Sequence, residues 1–273
     1  NERHKFGFEW ADRSRFVRIA EALAAKAKHS PEDMLKLQID FTSIAGRRLG
    51  KVLKTHSFDG DAGKAAWLLA GWHHRLDPDS DAAALFEIWF MRHLIPAQIE
   101  HHAPGAAAAI AVPDTWSAVD GIEEMEPADR EPLLQRTLAA AWAEATTLMG
   151  EPATWAWGRL HHAYFEHALS PVAGKKLDVG PHPKGGSGIT VNNNGYRAAD
   201  FRVTSGVSFR MVVDVGDWDK SVVVNTPGQS GDPTSPHHHD LFKVWAEEKA
   251  VPMVYSRKAV EAAAGFRIAL KPA

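Results

Sequence analysis

Cysteine is absent from this 273-residue chain. That excludes a thiolate nucleophile, a zinc–thiolate site and any disulfide, and leaves the chain compatible with an oxidising compartment. Long apolar runs are absent too: none reaches the roughly 18 residues that a membrane-crossing helix needs. Charge of one sign is not in excess. With 31 basic and 34 acidic residues the formal net charge is −3, which gives no electrostatic reason for nucleic acid or an anionic membrane as a partner. Several catalytic signatures are missing as well: there is no HExxH helix, GxSxG elbow, Walker loop or GxGxxG turn. The polar start Asn1-Glu2-Arg3-His4-Lys5 has no initiator methionine and none of the basic and apolar regions of a signal peptide. From it we expect a processed or nicked fragment.

What is present reads as helices followed by a strand-rich part. Asp12 to Lys28 carries Phe16, Val17, Ile19, Ala20 and Leu23 close to a 3.6-residue period. Ser30-Pro31-Glu32-Asp33 opens a second helix: Ser30 caps free N–H groups, Pro31 suits the first helical position, and two acids face the positive end of the dipole. Its apolar positions continue from Met34 to Val52. Further helices are predicted over Ala62 to Leu76, Ser80 to Ile99 (kinked or ended by Pro96), Pro127 to Leu148 (closed near Gly150) and Trp155 to Phe165. Between Ala103 and Glu126 we expect a short helix plus loop. After Ser170, Gly, Pro and Asn become dense. Val207 to Val215 and Val222 to Asn225 read as a hairpin. A helix at His238 to Glu248, a short strand at Met253 to Ser256, a helix at Ser256 to Ala264 and a closing strand at Phe266 to Leu270 complete the expectation. Residues 1–170 thus form a mostly helical part and 171–273 a strand-rich part. That order fits an α+β protein, not a doubly wound parallel sheet.

Histidine is abundant, with 15 residues, and His237-His238-His239 is the densest cluster. Adjacent helical residues point about 100° apart, so three in a row do not converge on one metal. Caps, surface positions and packed core sites account for them better than a metal site. Gly185-Gly186-Ser187-Gly188 has no strand before it in this reading and is taken as a flexible loop. The ten tryptophans sit mainly at core-like spacing, with one or two available to line an aromatic acyl pocket.

The most informative segment runs from Pro227 to His237, with the sequence PGQSGDPTSPH. Its glycines and prolines fix a tight path between a strand and a helix. Such a loop either lines a site or forms a structural corner. Gln229, Ser230 and His237 are the candidate lining residues.

At this segment the chain resembles the penicillin acylase family of N-terminal-nucleophile hydrolases. Gly228-Gln229-Ser230-Gly231-Asp232-Pro233, Ser235-Pro236-His237, Asp240-Leu241 and Trp245 look like the family's C-terminal signature. Ser208 to Asp214, Trp157 to His161, His167 to Ser170, Phe8-Glu9-Trp10 and Arg15 to Ile19 resemble other family segments, in family order. The resemblance implies the C-terminal portion of an αββα sandwich, belonging to the β chain. It implies cleavage of N-acyl amide bonds through an acyl-enzyme. The nucleophile would be an N-terminal Ser, Thr or Cys, released by autoproteolytic processing and carried by an upstream chain of the same precursor.

Arg15 matches the family's active-site arginine, with Ile19 four residues after it and Trp10 five before. Its implied role is to position the oxyanion-hole asparagine through the guanidinium fork. Without the resemblance it reads as a surface arginine on an amphipathic helix. The nucleophile and the asparagine lie upstream of this arginine in the family. Asn1, only 14 residues before Arg15, is too close to be that asparagine at the family's usual spacing, so both groups are expected on another chain. No cofactor is required on this reading. A structural calcium is implied for the complete enzyme, its ligands mostly outside this chain, and no metal site is expected here. The family also implies a periplasmic or secreted setting. Two rivals remain open: an inactive structural or binding subunit of the same fold, and a histidine-dependent metallohydrolase.

Overall fold

A computed structural model describes residues 4, 7, 10–105, 109 and 114–272. Asn1, Phe8 and Glu9, which entered the resemblance, lie outside the described residues. In chain order the helices are α1 (Ser14–Ala24), α2 (Pro31–Gln38), α3 (Ile44–Leu53), α4 (Gly60–Gly71) and α5 (Asp81–Ile88). A π-helical stretch, Trp89–Leu94, leads into α6 (Ile95–His102), then α7 (Thr115–Glu124), α8 (Pro127–Met149) and α9 (Trp157–Leu160). The rest is β1 (His162–Phe165), α10 (Ser170–Ala173), β2 (Val179–Pro183), β3 (Asn194–Tyr196), β4 (Val203–Gly206), β5 (Phe209–Val212), β6 (Val222–Asn225), α11 (Asp240–Ala246), β7 (Val251–Pro252) and α12 (Arg257–Ala263).

The chain forms two units. The first comprises residues 1–25, 40–165 and 180–206; the second comprises 26–39, 166–179 and 207–273. In the first, α4 lies against the long helix α8. Ala62, Ala65 and Ala66 supply small side chains to α4 where it is buried, and Leu134, Leu138 and Ala141 are buried on α8. Phe86, Trp89 and Phe90 fill the space beside them. The buried indole N–H of Trp89 donates to Thr137 Oγ1 at 3.0 Å, so this large core ring leaves no unmet donor. A four-stranded sheet, ordered β2-β1-β4-β3, borders the helices; β1 and β4 run parallel, and β3 pairs antiparallel with β4.

The second unit is built on a three-stranded antiparallel sheet, β5-β6-β7. The predicted hairpin is present, in the register Phe209↔Asn225 to Val212↔Val222. Helix α2 packs on β5, and Gln38 Nε2 donates to the Met211 carbonyl at 2.9 Å. On the other side, buried Arg210 donates to the Trp245 carbonyl at 2.6 Å and pairs with Glu248.

Several expectations hold and several fail for local reasons. Ser30 and Asp33 form the reciprocal capping box of α2. Gly150 ends α8 at φ +82°. The apolar run from Met34 to Val52, however, forms two helices, not one. Asp40 Oδ1 accepts the Thr42 N–H at 2.7 Å and Ser43 caps α3 through the Gly46 N–H at 3.0 Å, so side chains take over backbone donors that a continuous helix would use. Pro96 neither ends nor breaks its helix. Its missing N–H falls just after the π turn, whose wider ring accommodates the lost i→i−4 bond. The segment from Trp155 to Phe165 ends as strand β1, and Phe266 to Leu270 forms no strand. The Gly185 to Gly188 segment is preceded by strand β2 and is packed, not flexible. A Cβ on Gly185 would stand 2.4 Å from the Phe41 ring and 2.7 Å from the Leu76 carbonyl.

Candidate functional site

Arg15 sits in the first turn of α1, in the first unit. The helix start is fixed by Asp12: Oδ1 accepts the Ser14 N–H at 2.7 Å, while Oδ2 accepts the Trp116 N–H at 2.8 Å and the Thr115 hydroxyl. Asp12 thereby ties α1 to the start of α7. The neighbouring arginines are committed. Arg13 lies 5.2 Å from the centroid of the Trp116 ring, with Arg48 also over that ring at 4.7 Å. Arg18 donates to Asp40 Oδ2 through Nη2 at 2.7 Å and Nε at 3.1 Å. Burial pushes the Asp40 carboxyl up, but the hydrogen bonds from Arg18 and Thr42 outweigh it and hold the pKa below the usual carboxylate value. Arg47 grips Glu21 with both Nη atoms, at 3.0 and 2.5 Å. Arg15 is half-buried and makes no hydrogen bond or ion pair among the described residues. Among the described residues, Arg18 of α1 is paired and Arg15 is not.

Gln229, Ser230 and His237 are brought together in the second unit, in the loop after β6. The Gln229 and Ser230 N–H groups both donate to the His237 carbonyl, at 2.9 and 3.1 Å. The Leu241 N–H closes the loop onto the Pro227 carbonyl at 3.0 Å. Gly228 is required by close approach: a Cβ there would lie 2.4 Å from the His237 carbonyl oxygen and 2.6 Å from that of His238. His237 Nδ1 meets Asp240 Oδ2 at 2.8 Å on an exposed surface. The loop is therefore a self-bonded corner that presents Gln229 and His237 outward. Arg15 belongs to the other unit.

Sequence reasoning missed a buried polar group in the first unit. Glu87, the sole charged residue in the apolar run from Ala82 to Phe90, is fully buried and accepts the Tyr196 hydroxyl hydrogen at 2.5 Å. Burial lifts its pKa to about 7, against the lowering effect of that hydrogen bond. His161 stacks on Trp157 at 4.6 Å between centroids, and its ring nitrogens contact the Lys184 and Asn194 carbonyls at 2.6 and 3.1 Å. Burial lowers its pKa to about 4, although the two carbonyls favour the protonated ring. Tyr196 touches the His161 ring edge-on at 5.5 Å and so connects the two titratable groups. For Glu87, its lone placement in an apolar run was the available sequence signal.

Two adjoining clefts of about 710 and 540 Å³ share Trp67, Leu68 and Asp81. Trp142 lines the smaller one. None of Arg15, Gln229, Ser230 and His237 lines either. Among the described residues no three His, Asp or Glu side chains are placed to hold a metal ion.

A sequence profile described as penicillin amidase matches residues 1–262. Penicillin acylase 2 proenzyme from Pseudomonas sp. strain SE83 is 30% identical over 275 residues, covering 95% of this chain and 35% of that protein. The acyl-homoserine lactone acylase QuiP of Pseudomonas fluorescens strain Pf0-1 is 26% identical, covering 89% of this chain and 34% of its own length. The chain thus spans about a third of the length of these relatives. A thermostable penicillin G acylase structure from Alcaligenes faecalis superposes with a TM-score of 0.55 at 13% identity, over 98% of this chain and 54% of that one. That likeness carries the fold, which is α+β and of the N-terminal-nucleophile hydrolase type.

Proposed function

The chain belongs to the penicillin amidase family, and we infer that it is one part of an amidohydrolase that cleaves N-acyl amide bonds. The observation that carries this reading is a family match running through nearly all of the chain while covering about a third of its relatives. The reacting hydroxyl or thiol is supplied by an N-terminal Ser, Thr or Cys on another chain of the same precursor. That group adds to the amide carbonyl, its proton passing to its own α-amino group. The C–N bond then breaks, the amine leaves with a proton, and water hydrolyses the acyl-enzyme to a carboxylic acid. The substrate class is an N-acylated amine, of which a penicillin side-chain amide and an N-acyl-homoserine lactone are two forms. The setting is periplasmic or secreted.

Arg15 is a positioning residue on this reading. Its free guanidinium orients an asparagine that donates to the developing oxyanion. Support comes from its lack of a partner among the described residues, where Arg18 and Arg47 are each paired. Gln229, Ser230 and His237 support a site only through the outward face of their loop.

The test is intact-mass analysis and N-terminal sequencing of everything that co-purifies with the chain, together with hydrolysis of a phenylacetyl anilide and an N-acyl-homoserine lactone. The expected result is activity confined to an assembly containing a chain that begins with Ser, Thr or Cys. A fully active 273-residue monomer refutes the reading, and an assembly without activity on either amide points to an inactive subunit.

A further inference from the structure

Two ion pairs hold the charged face of α1 inward, toward α3 and the turn before it. Arg18 donates twice to Asp40 Oδ2, and Arg47 of α3 grips Glu21 one turn further along α1. The two pairs differ in weight. The Asp40 side chain is 8% exposed, against 39% for Glu21. An exposed pair contributes little, so Asp40 is the stronger anchor. Asp40 is itself rigidly held. Its Oδ1 accepts the Thr42 N–H at 2.7 Å, which orients the carboxylate and leaves Oδ2 to Arg18. Its carbonyl accepts the Asn192 N–H at 3.0 Å, the Phe41 carbonyl accepts the Leu76 N–H at 3.0 Å, and the Ser43 N–H donates to the His74 carbonyl at 2.8 Å. Residues 40–43 are thus bonded to two other segments of the first unit. Arg15 stands three residues before Arg18, which makes the two side chains neighbours on the helix surface. Whatever fixes Arg18 therefore fixes the rotation that aims Arg15.

We propose that Asp40 is a positioning residue for Arg15: through Arg18 it fixes the rotation of α1 and so the place of the Arg15 guanidinium. The proposal rests on the functional reading above, in which Arg15 orients an oxyanion-donating asparagine, and adds the group that holds Arg15 in place. A helix with its side chains has a radius of about 5–6 Å, so a rotation of about 10° displaces a guanidinium at its surface by about 1 Å. A displacement of that size in a supporting group costs on the order of a hundredfold in rate. The charge of Asp40 acts as well as its tether. Arg15 and Arg18 are both cations with no acceptor of their own. With Asp40 neutralised, Arg18 is released to compete with Arg15 for the same acceptor oxygen. The hydrogen bonds from Arg18 and Thr42 hold the Asp40 carboxyl below the usual carboxylate value, so the anchor is ionised at neutral pH.

The experiment uses the assembly as purified and the variant Asp40→Asn, which keeps the size of the side chain and removes its charge. Thr137→Val, which strands the Trp89 N–H in the core, controls for loss of stability alone. Unfolding midpoints and the kinetics of acyl anilide hydrolysis are measured for both, and for Arg15→Ala with and without Asp40→Asn. The expected result is a kcat lowered about ten- to a hundredfold in Asp40→Asn, with KM within about twofold of wild type. Thr137→Val should keep kcat within about twofold although its midpoint falls. In the Arg15→Ala background Asp40→Asn should lower kcat by less than about twofold, because the group it positions is already gone. A full additional loss in that background, or an equal kcat loss in Thr137→Val, makes Asp40 a structural residue and overturns the proposal. Wild-type kcat in Asp40→Asn overturns it too and leaves the functional reading intact. If Asp40→Asn does not fold, Glu21→Gln decides: it loosens the exposed pair and should lower kcat about two- to tenfold, with no further effect in the Arg15→Ala background, and an unchanged kcat overturns the proposal. A wild-type assembly that hydrolyses neither the anilide nor an N-acyl-homoserine lactone overturns the functional reading and this proposal with it.

Discussion

Glu87 and His161 titrate in overlapping ranges with opposite effects on stability. The pKa of Glu87 is raised from 4.5 to about 7 in the fold. As pH rises from about 4.5 to about 7, the unfolded chain loses this proton first, so the group's contribution to stability is present at low pH and disappears across that window. The pKa of His161 is lowered from 6.5 to about 4. As pH falls from about 6.5 to about 4, the unfolded chain gains a proton that the folded one does not take up, so stability is lost in the acid direction. Each shift spans about 2.5 units, worth about 3–4 kcal/mol at roughly 1.4 kcal/mol per unit. The two slopes therefore oppose each other and nearly cancel between pH 4.5 and 6.5. Glu87→Gln keeps an oxygen for the Tyr196 hydroxyl and removes one slope. Its unfolding free energy, measured by urea titration at half-unit steps from pH 4.5 to 7.5, should then rise with pH by about 3 kcal/mol, where the wild type stays within about 1. His161→Gln should show the reverse slope. A Glu87→Gln curve parallel to wild type would refute the assignment of a buried, near-neutral carboxyl at this position.

Other consequences follow from particular contacts. Arg18→Ala should cost about 2 kcal/mol of stability, since it strips a charge-assisted partner from the nearly buried Asp40. Arg15→Ala should leave the unfolding midpoint within a degree or so of wild type and lower kcat on an acyl anilide in the assembly; equal losses in both measurements would make Arg15 a structural residue. Gly228→Ala should destabilise the second unit by about 1–3 kcal/mol, because the new methyl meets two backbone carbonyls that cannot move independently. Proteolytic nicking at the 228–237 loop under native conditions reads that out. Thr137→Val should cost about 1–3 kcal/mol by stranding the Trp89 N–H. Combined with Trp89→Phe it should cost less than the sum of the two single changes.

Local signals were legible in the sequence, and signals that depend on distant partners were not. The capping box at Ser30 and Asp33, the hairpin over Val207 to Asn225 and the glycine closing α8 depend on neighbouring residues, and each is found. The break at Asp40 is different: the aspartate is aligned by Arg18, 22 residues away, and an apolar count cannot see it. The Gly185 to Gly188 segment looks mobile until Phe41 and Leu76 are packed against it. Phe266 to Leu270 has strand composition, but no neighbouring strand pairs with it among the described residues. The family motifs singled out Arg15 and the 228–237 loop as candidates. They carried no information that α1 turns its charged face inward, because that depends on Asp40 and Arg47 meeting it from outside the helix.

The hydrogen bond from Gln38 to the Met211 carbonyl joins positions 173 residues apart in the chain. A ribosome adding roughly 5–20 residues per second takes on the order of 10–35 s to make that stretch. During that interval α2 has been synthesised and β5 does not yet exist. Through its emergence from the ribosome, then, the capped turn at Ser30 must hold a helix of eight residues that has nothing to rest on, or leave it to form only when the hairpin arrives. Until the hairpin arrives α2 has no strand to rest on, and a chaperone that recognises short unburied segments would find it there.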